Sequence, residues 1–272
     1  MSSNLDPIGV FDSGVGGITA VKEIHELMPG ENIVYFGDTG RVPYGSKSSD
    51  IILKYANQDI SFLKSLGVKM IIAACGTVSS VIDIKTQNKE LPFIGVVDPT
   101  CIAAIKSTKN KKIGVIGTQT TIKSNSYIRC IGSIDKEIQV YQKSCPIFAP
   151  LIENGVSNLP YEIVYGIVKE NLSYFNQYDI DVLILGCTHY PIIENVISEV
   201  MGPKVKLINS GKEVAKYAEF ILKNKNLASS MKHGGKYDFF VSDSAQTFSE
   251  IANRFLGYNI VKNVKKINID LY

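Results

Sequence analysis

The sequence predicts an α/β protein built from two similar parallel-sheet domains, and three observations lead there. Its short apolar runs are continuous rather than alternating, as in strands buried on both faces of a parallel sheet. Amphipathic helical stretches separate these runs. The order of runs also repeats once along the chain, at an offset of about 105–112 residues, close to one small domain.

The strands are read from the runs at residues 8–11, 33–36, 70–74, 93–97, 113–116, 182–185, 205–208 and 239–241. Between them, Ile52, Ala56, Ile60 and Leu63 share one helical face, as do Val164, Ile167, Val168 and Leu172. In the repeat, Ile8-Gly9-Val10 recurs as Ile113-Gly114-Val115 and Val34-Tyr35 as Val140-Tyr141. The run before Cys75 recurs before Cys187, and 93–97 recurs as 205–208. Two Rossmann-like, three-layer halves related by a pseudo-twofold follow, joined near residue 98. The second ends near residue 210. A last segment, with a strand at 237–241 and a helix at 245–256, returns to the first half. The expected domains are therefore residues 1–98 plus 211–272, and residues 99–210, with the active site in the cleft between them.

Composition is that of a globular chain, 45% apolar and 20% charged. The 29 basic and 26 acidic residues leave +3, too little to imply a polyanionic partner. The lysine-rich pieces 109–112 and 262–266 lack interleaved aromatics and read as solvated faces, not a nucleic-acid site. No apolar run has the 18 or more residues of a membrane span. The N-terminus shows no secretory signal pattern. The five cysteines are scattered without a CxxC pair, which suits free thiols in a reducing cytoplasm.

Cys75 and Cys187 each stand where a buried strand ends, in Ala73-Ala74-Cys75-Gly76-Thr77 and Leu185-Gly186-Cys187-Thr188-His189. Ligands of open α/β sheets bind at that end. A helix is expected after each, capped by Thr77 or Ser79 in the first and carrying Pro191 in the first turn of the second. A helix N-terminus lowers a thiol pKa, so both cysteines are expected to favour thiolate. A lone free cysteine is usually a small buried apolar residue, and Cys101, Cys130 and Cys145 are left in that role. Two at matching points of a repeat suggest two acid/base groups facing one substrate carbon. Such a pair removes a proton from one face and returns one to the other.

Asp12 and Ser13 lead into the turn Gly14-Val15-Gly16-Gly17. Neither GxGxxG nor GxxxxGK[ST] is present, so a nucleotide site ranks last. The turn instead presents Asp12 and Ser13 while its N–H groups cradle a carboxylate, with Asp12 either a helix cap or a proton acceptor near Cys75. His189 is expected beside the Cys187 thiol; His25 and His233 read as structural. A metal site at Cys187 and His189 lacks further ligands of suitable spacing. Gly37-Asp38-Thr39 and Pro43-Tyr44-Gly45 form a turn-rich loop. Thr118 and Thr121 are helix caps or carboxylate donors. Glu153 is a carboxylate in an apolar setting, where exposure is usual.

Together these residues resemble the glutamate racemases of the aspartate/glutamate racemase family, nearly end to end from Ile8 to about Gly257. The strongest pieces are 8–17, 37–45, 113–124 and 185–191. The resemblance implies a cofactor-independent enzyme that interconverts L- and D-glutamate and supplies D-glutamate for peptidoglycan. Cys75 would take the α-proton from D-glutamate, assisted by Asp12. Cys187 would take it from L-glutamate, assisted by Glu153 and His189. Asp12, Ser13, Tyr44, Gly45, Gly76, Thr77, Thr118, Thr121, Thr188 and His189 would bind the substrate. A homodimer is implied by the family alone, and the regulatory N-terminal extension of some relatives is not expected. The family pattern Cys-Asn-Thr reads Cys75-Gly76-Thr77 here, which leaves the missing amide to a water, a backbone N–H, Ser79 or Ser80. His189 points to glutamate, since aspartate racemases tend to carry Glu there. The alternatives are a racemase of another small amino acid such as aspartate, or a non-catalytic binding protein on the same fold.

Overall fold

The computed structural model describes residues 3–87, 91–257 and 264–272. Lys262 and Asn263, which open the second lysine-rich piece, lie outside the described residues. In chain order the strands are β1 (Ile8–Asp12), β2 (Ile33–Gly37), β3 (Met70–Ala73), β4 (Phe93–Gly95), β5 (Lys112–Gly117), β6 (Gln139–Ser144), β7 (Val182–Leu185), β8 (Lys206–Asn209), β9 (Tyr237–Val241) and β10 (Lys265–Lys266).

They form two sheets, ordered β10-β9-β2-β1-β3-β4 and β6-β5-β7-β8, and every pairing is parallel. The repeat read from the sequence is a repeat of topology. The order β2-β1-β3-β4 recurs as β6-β5-β7-β8. β9 extends the first sheet beyond β2, and β10 follows it.

The continuous apolar runs are strands buried along their whole length, as in β1, β2, β3 and β7. The helix Ser49–Ser65 buries Ile52, Ala56, Ile60 and Leu63 against the first sheet. In the helix Tyr161–Leu172, Val164, Val168 and Leu172 are buried and Ile167 is partly so. The run 93–97 is split: β4 stops at Gly95 and Val97 opens the helix Val97–Ser107. Asp98 and Pro99 in its first turn are the start signals that outweigh the β-branched run. That helix packs Val97, Cys101 and Ala104 on the second sheet's core with Ile113, Val182 and Ile184.

Because all strands in a sheet point one way, each sheet gathers its carboxyl ends on one edge. Asp12 and Cys75 stand at the edge of the first sheet, Thr118 and Cys187 at that of the second. At the opposite end of the first sheet, Lys69 Nζ meets Glu31 Oε2 at 2.6 Å, both side chains buried. Lys69 also donates to the Asn4 carbonyl at 2.6 Å, and Glu31 Oε1 accepts the Ser229 N–H at 2.7 Å. Removing one member of a buried pair strands the other charge. Lys69→Met is expected to cost about 3–5 kcal/mol in urea unfolding, with the far-ultraviolet circular dichroism of the folded protein unchanged.

Candidate active site

The two carboxyl edges enclose a cleft of about 410 Å³. Its walls include Ser13, Tyr44, Gly45, Cys75, Gly76 and Thr77 from one side. Thr118, Glu153, Gly186, Cys187, Thr188 and His189 come from the other. No lysine or arginine is among the lining residues described. Asp12 and Thr121 stand behind the wall, both fully buried.

The turn after β1 is held by Asp12. Its Oδ2 accepts the N–H groups of Gly14 at 3.2 Å and Gly17 at 3.0 Å. The carboxylate cradled by the turn is thus the chain's own, and Asp12 does not cap the following helix, whose N-cap is Gly17. A Cβ on Gly17 would lie 2.6 Å from that of Asp12, so this position requires glycine. Burial raises the Asp12 pKa; the His189 charge, the two N–H groups and the Cys75 thiol work against that rise.

Cys75 is itself the N-cap of a four-residue helix, Gly76–Ser79, with no side-chain cap from Thr77 or Ser79. Its thiol donates to Ser13 Oγ at 3.5 Å. The expected shift toward thiolate is reversed here. Burial, then the charge of Asp12, pushes the thiol up to about 12, against smaller help from Ser13 and the Val78 N–H. One helical turn offers too small a dipole to offset desolvation. Ser79 and Ser80 do not stand in for the missing amide. Ser79 Oγ donates to the Ala73 carbonyl and accepts the Val96 N–H. Ser80 Oγ donates to the Gly76 carbonyl and accepts from Ser126 Oγ.

On the other wall, Cys187 Sγ lies 3.7 Å from His189 Nδ1, and His189 Nε2 lies 2.7 Å from Glu153 Oε1. Pro191 sits in the first turn of the short 3-10 helix Tyr190–Ile193, as read. Burial alone lowers the His189 pKa, but the hydrogen bonds to Cys187 and Glu153 outweigh it and raise it to about 10. The imidazole is therefore protonated at neutral pH. Glu153 ends the helix Phe148–Glu153 and is partly exposed, its carboxylate committed to His189.

Tyr44 and Gly45 reach the cleft on a loop pinned by a buried cluster. Arg41 Nε meets Asp38 Oδ2 at 2.6 Å and its Nη2 meets Asp59 Oδ1 at 3.3 Å. Tyr44 donates its hydroxyl to Asp38, and Ser242 Oγ donates to Asp38 Oδ1 at 2.7 Å. Burial and the neighbouring Asp38 hold the Asp59 pKa well above the carboxylate range. Sequence reasoning missed Asp59, although an acid on the apolar face of Ile52, Ala56 and Leu63 was a usable signal. Gln119 and Asn154 also line the cleft and carried no signal. Thr118 caps the helix Gln119–Lys123 by accepting the Thr121 N–H at 3.3 Å. Its hydroxyl meets Thr77 Oγ1 across the cleft and Thr121 Oγ1 behind it, both at 3.0 Å.

The arrangement sets two thiols on opposite walls, one beside a buried carboxylate and the other beside an imidazolium, among hydroxyl and backbone donors. Among the described residues no group of three His, Cys, Asp or Glu side chains is placed to hold a metal ion. Nor, among the described residues, is any helix long and apolar enough to cross a membrane.

Residues 39–218 match the model of the Asp/Glu/hydantoin racemase family. A glutamate racemase of Thermoanaerobacter sp. (strain X514) is 42% identical over 269 residues, 99% of this chain and 100% of that one. Among solved structures, a glutamate racemase isoform from Bacillus anthracis superposes with a TM-score of 0.91 at 38% identity, over 96% of this chain and 97% of that one. The Francisella tularensis glutamate racemase in complex with D-glutamate gives 0.90 at 37% identity, over 99% and 100%. The family match, the full-length relatives and the shared fold agree: this chain is a member of the Asp/Glu/hydantoin racemase family, and an amino-acid racemase.

Proposed function

We propose that the chain interconverts L- and D-glutamate without a cofactor, moving the α-proton between Cys187 and Cys75, and that it supplies D-glutamate for peptidoglycan in the cytoplasm. The observation that carries this reading is the placement of the two cysteines. They stand at equivalent strand ends of a repeated sheet and line opposite walls of one cleft. Full-length relatives named glutamate racemase, at about 40% identity, support the substrate. The units that close on it are taken as residues 1–98 with 211–272, and 99–210. A homodimer is carried over from the family.

In the L-to-D direction the Cys187 thiolate removes the α-proton and becomes a thiol. The electron pair left on the α-carbon is delocalised into the α-carboxylate. The Cys75 thiol then donates its proton to the opposite face and becomes a thiolate. Solvent exchange of protons restores the starting state, and the D-to-L direction runs the steps in reverse. The His189 imidazolium stands 3.7 Å from Cys187 Sγ, and Glu153 orients and charges His189. Burial keeps Cys75 protonated, as the donor of the L-to-D direction must be. Asp12 is the acceptor placed to relieve Cys75 of its proton in the reverse direction. Ser13, Tyr44, Gly45, Gly76, Thr77, Thr118, Thr121 and Thr188 complete the substrate's surroundings, with neutral donors meeting its carboxylates.

Purified protein without added cofactor is expected to racemise L- and D-glutamate, with deuterium entering the α-carbon in heavy water. Activity confined to aspartate would overturn the substrate, and no exchange with either would overturn the enzyme reading. Cys75→Ala and Cys187→Ala are each expected to cut kcat by at least about 10²–10⁴-fold while leaving circular dichroism unchanged; substantial turnover by either variant would sink the two-thiol mechanism. His189 generates a pH prediction. Its folded pKa lies above the free value of 6.5, at about 10. The protonated ring therefore stabilises the fold fully below about pH 6.5, and that contribution is lost as pH rises through about 10. The melting-temperature gap between the native protein and His189→Gln should be widest at low pH and shrink across that window.

A further inference from the structure

We propose that Gly76 sets the closest approach of the two cysteine loops, so that its missing side chain is a requirement of proton transfer and not a gap in substrate binding. This deepens the two-thiol reading and rests on it. Gly76 directly follows Cys75, and Gly186 directly precedes Cys187. A Cβ built on Gly76 would overlap the Gly186 carbonyl oxygen and lie 3.3 Å from its carbon and 3.9 Å from the Cys187 Cα. The obstacle is backbone, not the free end of a flexible side chain.

Neither wall has room to retreat. Behind Gly186, its N–H donates to the Ile116 carbonyl at 2.8 Å. The fully buried Tyr127 ring packs on the same residue, 3.3 Å from where a Cβ would stand. Behind Gly76, its carbonyl accepts Ser80 Oγ at 2.7 Å, and Ser80 Oγ in turn accepts from Ser126 Oγ of the opposite half at 3.1 Å. Backbone conformation does not explain the glycine either. Gly76 lies in a short helix and is not among the residues with positive φ, and inside a helix glycine is less favourable than alanine. Close approach is what remains.

A side chain at position 76 therefore has to be accommodated by parting the loops. Restoring ordinary contact to the Gly186 carbonyl takes roughly 1 Å, and that displacement falls on the backbone that carries Cys187. Misplacing a reacting group by about 1 Å costs on the order of 10²-fold in rate. Ser13 and Thr118 line the cleft from other loops, so binding is reduced less than the chemical step even though Thr77 and Thr188 lie on the loops that part.

The test is the kcat and KM of Gly76→Ala and Gly76→Asn with both enantiomers of glutamate, scaled to the folded fraction from thermal melting. Gly76→Ala is expected to lower kcat by about 10²-fold in both directions with KM held within roughly threefold. Gly76→Asn, which restores the amide of the family pattern, should fare no better. A Gly76→Ala enzyme within about twofold of the native on both constants, or a Gly76→Asn enzyme with lower KM and intact kcat, would overturn the proposal. Should neither variant fold, the native protein crystallised with D-glutamate decides: separation of the Gly76 Cα from the Gly186 carbonyl oxygen beyond about 4.5 Å would overturn it, and contact would uphold it. Failure of the native protein to racemise glutamate would remove the underlying reading, an outcome distinct from an unimpaired Gly76→Ala.

Discussion

Where the turn after β1 meets the far wall of the cleft, backbone takes the place of side chains, and the rest of the site is arranged around that contact. A Cβ on Gly16 would overlap Thr188 and lie 2.6 Å from His189 Nδ1. Beside it, Thr19 Oγ1 donates both to the Gly16 carbonyl at 2.9 Å and to the Thr188 carbonyl at 2.8 Å. The turn keeps its shape because Asp12 binds two of its N–H groups. One buried carboxylate thus secures the turn, touches the acidity of Cys75 and faces the charge of His189. A substitution at Asp12 alters all three together.

The two thiols occupy equivalent points of a repeated topology and differ in what surrounds them. Cys75 is enclosed beside an acid, which raises the cost of its thiolate. Cys187 lies beside a base that its neighbours have charged. Duplicated backbone therefore sets the two thiols at equivalent strand ends, while their neighbours are not equivalent. Perturbed groups of opposite tendency in one cleft are how acid and base roles are commonly divided.

Much of this was legible in the chain before any coordinates. Strands buried on both faces leave unbroken apolar runs, and helices with one buried stripe leave a 3.6-residue period, so seven of the eight runs became strands and both helical faces became helices, while 93–97 divides between β4 and the helix after it. β10 did not, because its pairing residues are Lys265 and Lys266 and carry no apolar signal. β6 showed only through the repeat, since its residues are mostly half-exposed at the sheet edge. Position told where Cys75 stands but not its acidity, which depends on Asp12 and on burial that only the closed cleft supplies. Contacts such as Gly76 on Gly186, or Asp59 on Arg41, join segments distant in sequence and leave no local pattern.

The absence of lysine and arginine from the described cleft walls also bears on how substrate arrives. Fixed cationic side chains create a field that draws anions in and weakens as salt screens it. Here the donors are hydroxyls and N–H groups, whose dipolar pull fades within contact range, and the cation in the described cleft wall, His189, is paired with Glu153. Capture of an anionic amino acid is then governed by diffusion and by the fit of the walls, and the encounter rate depends little on ionic strength.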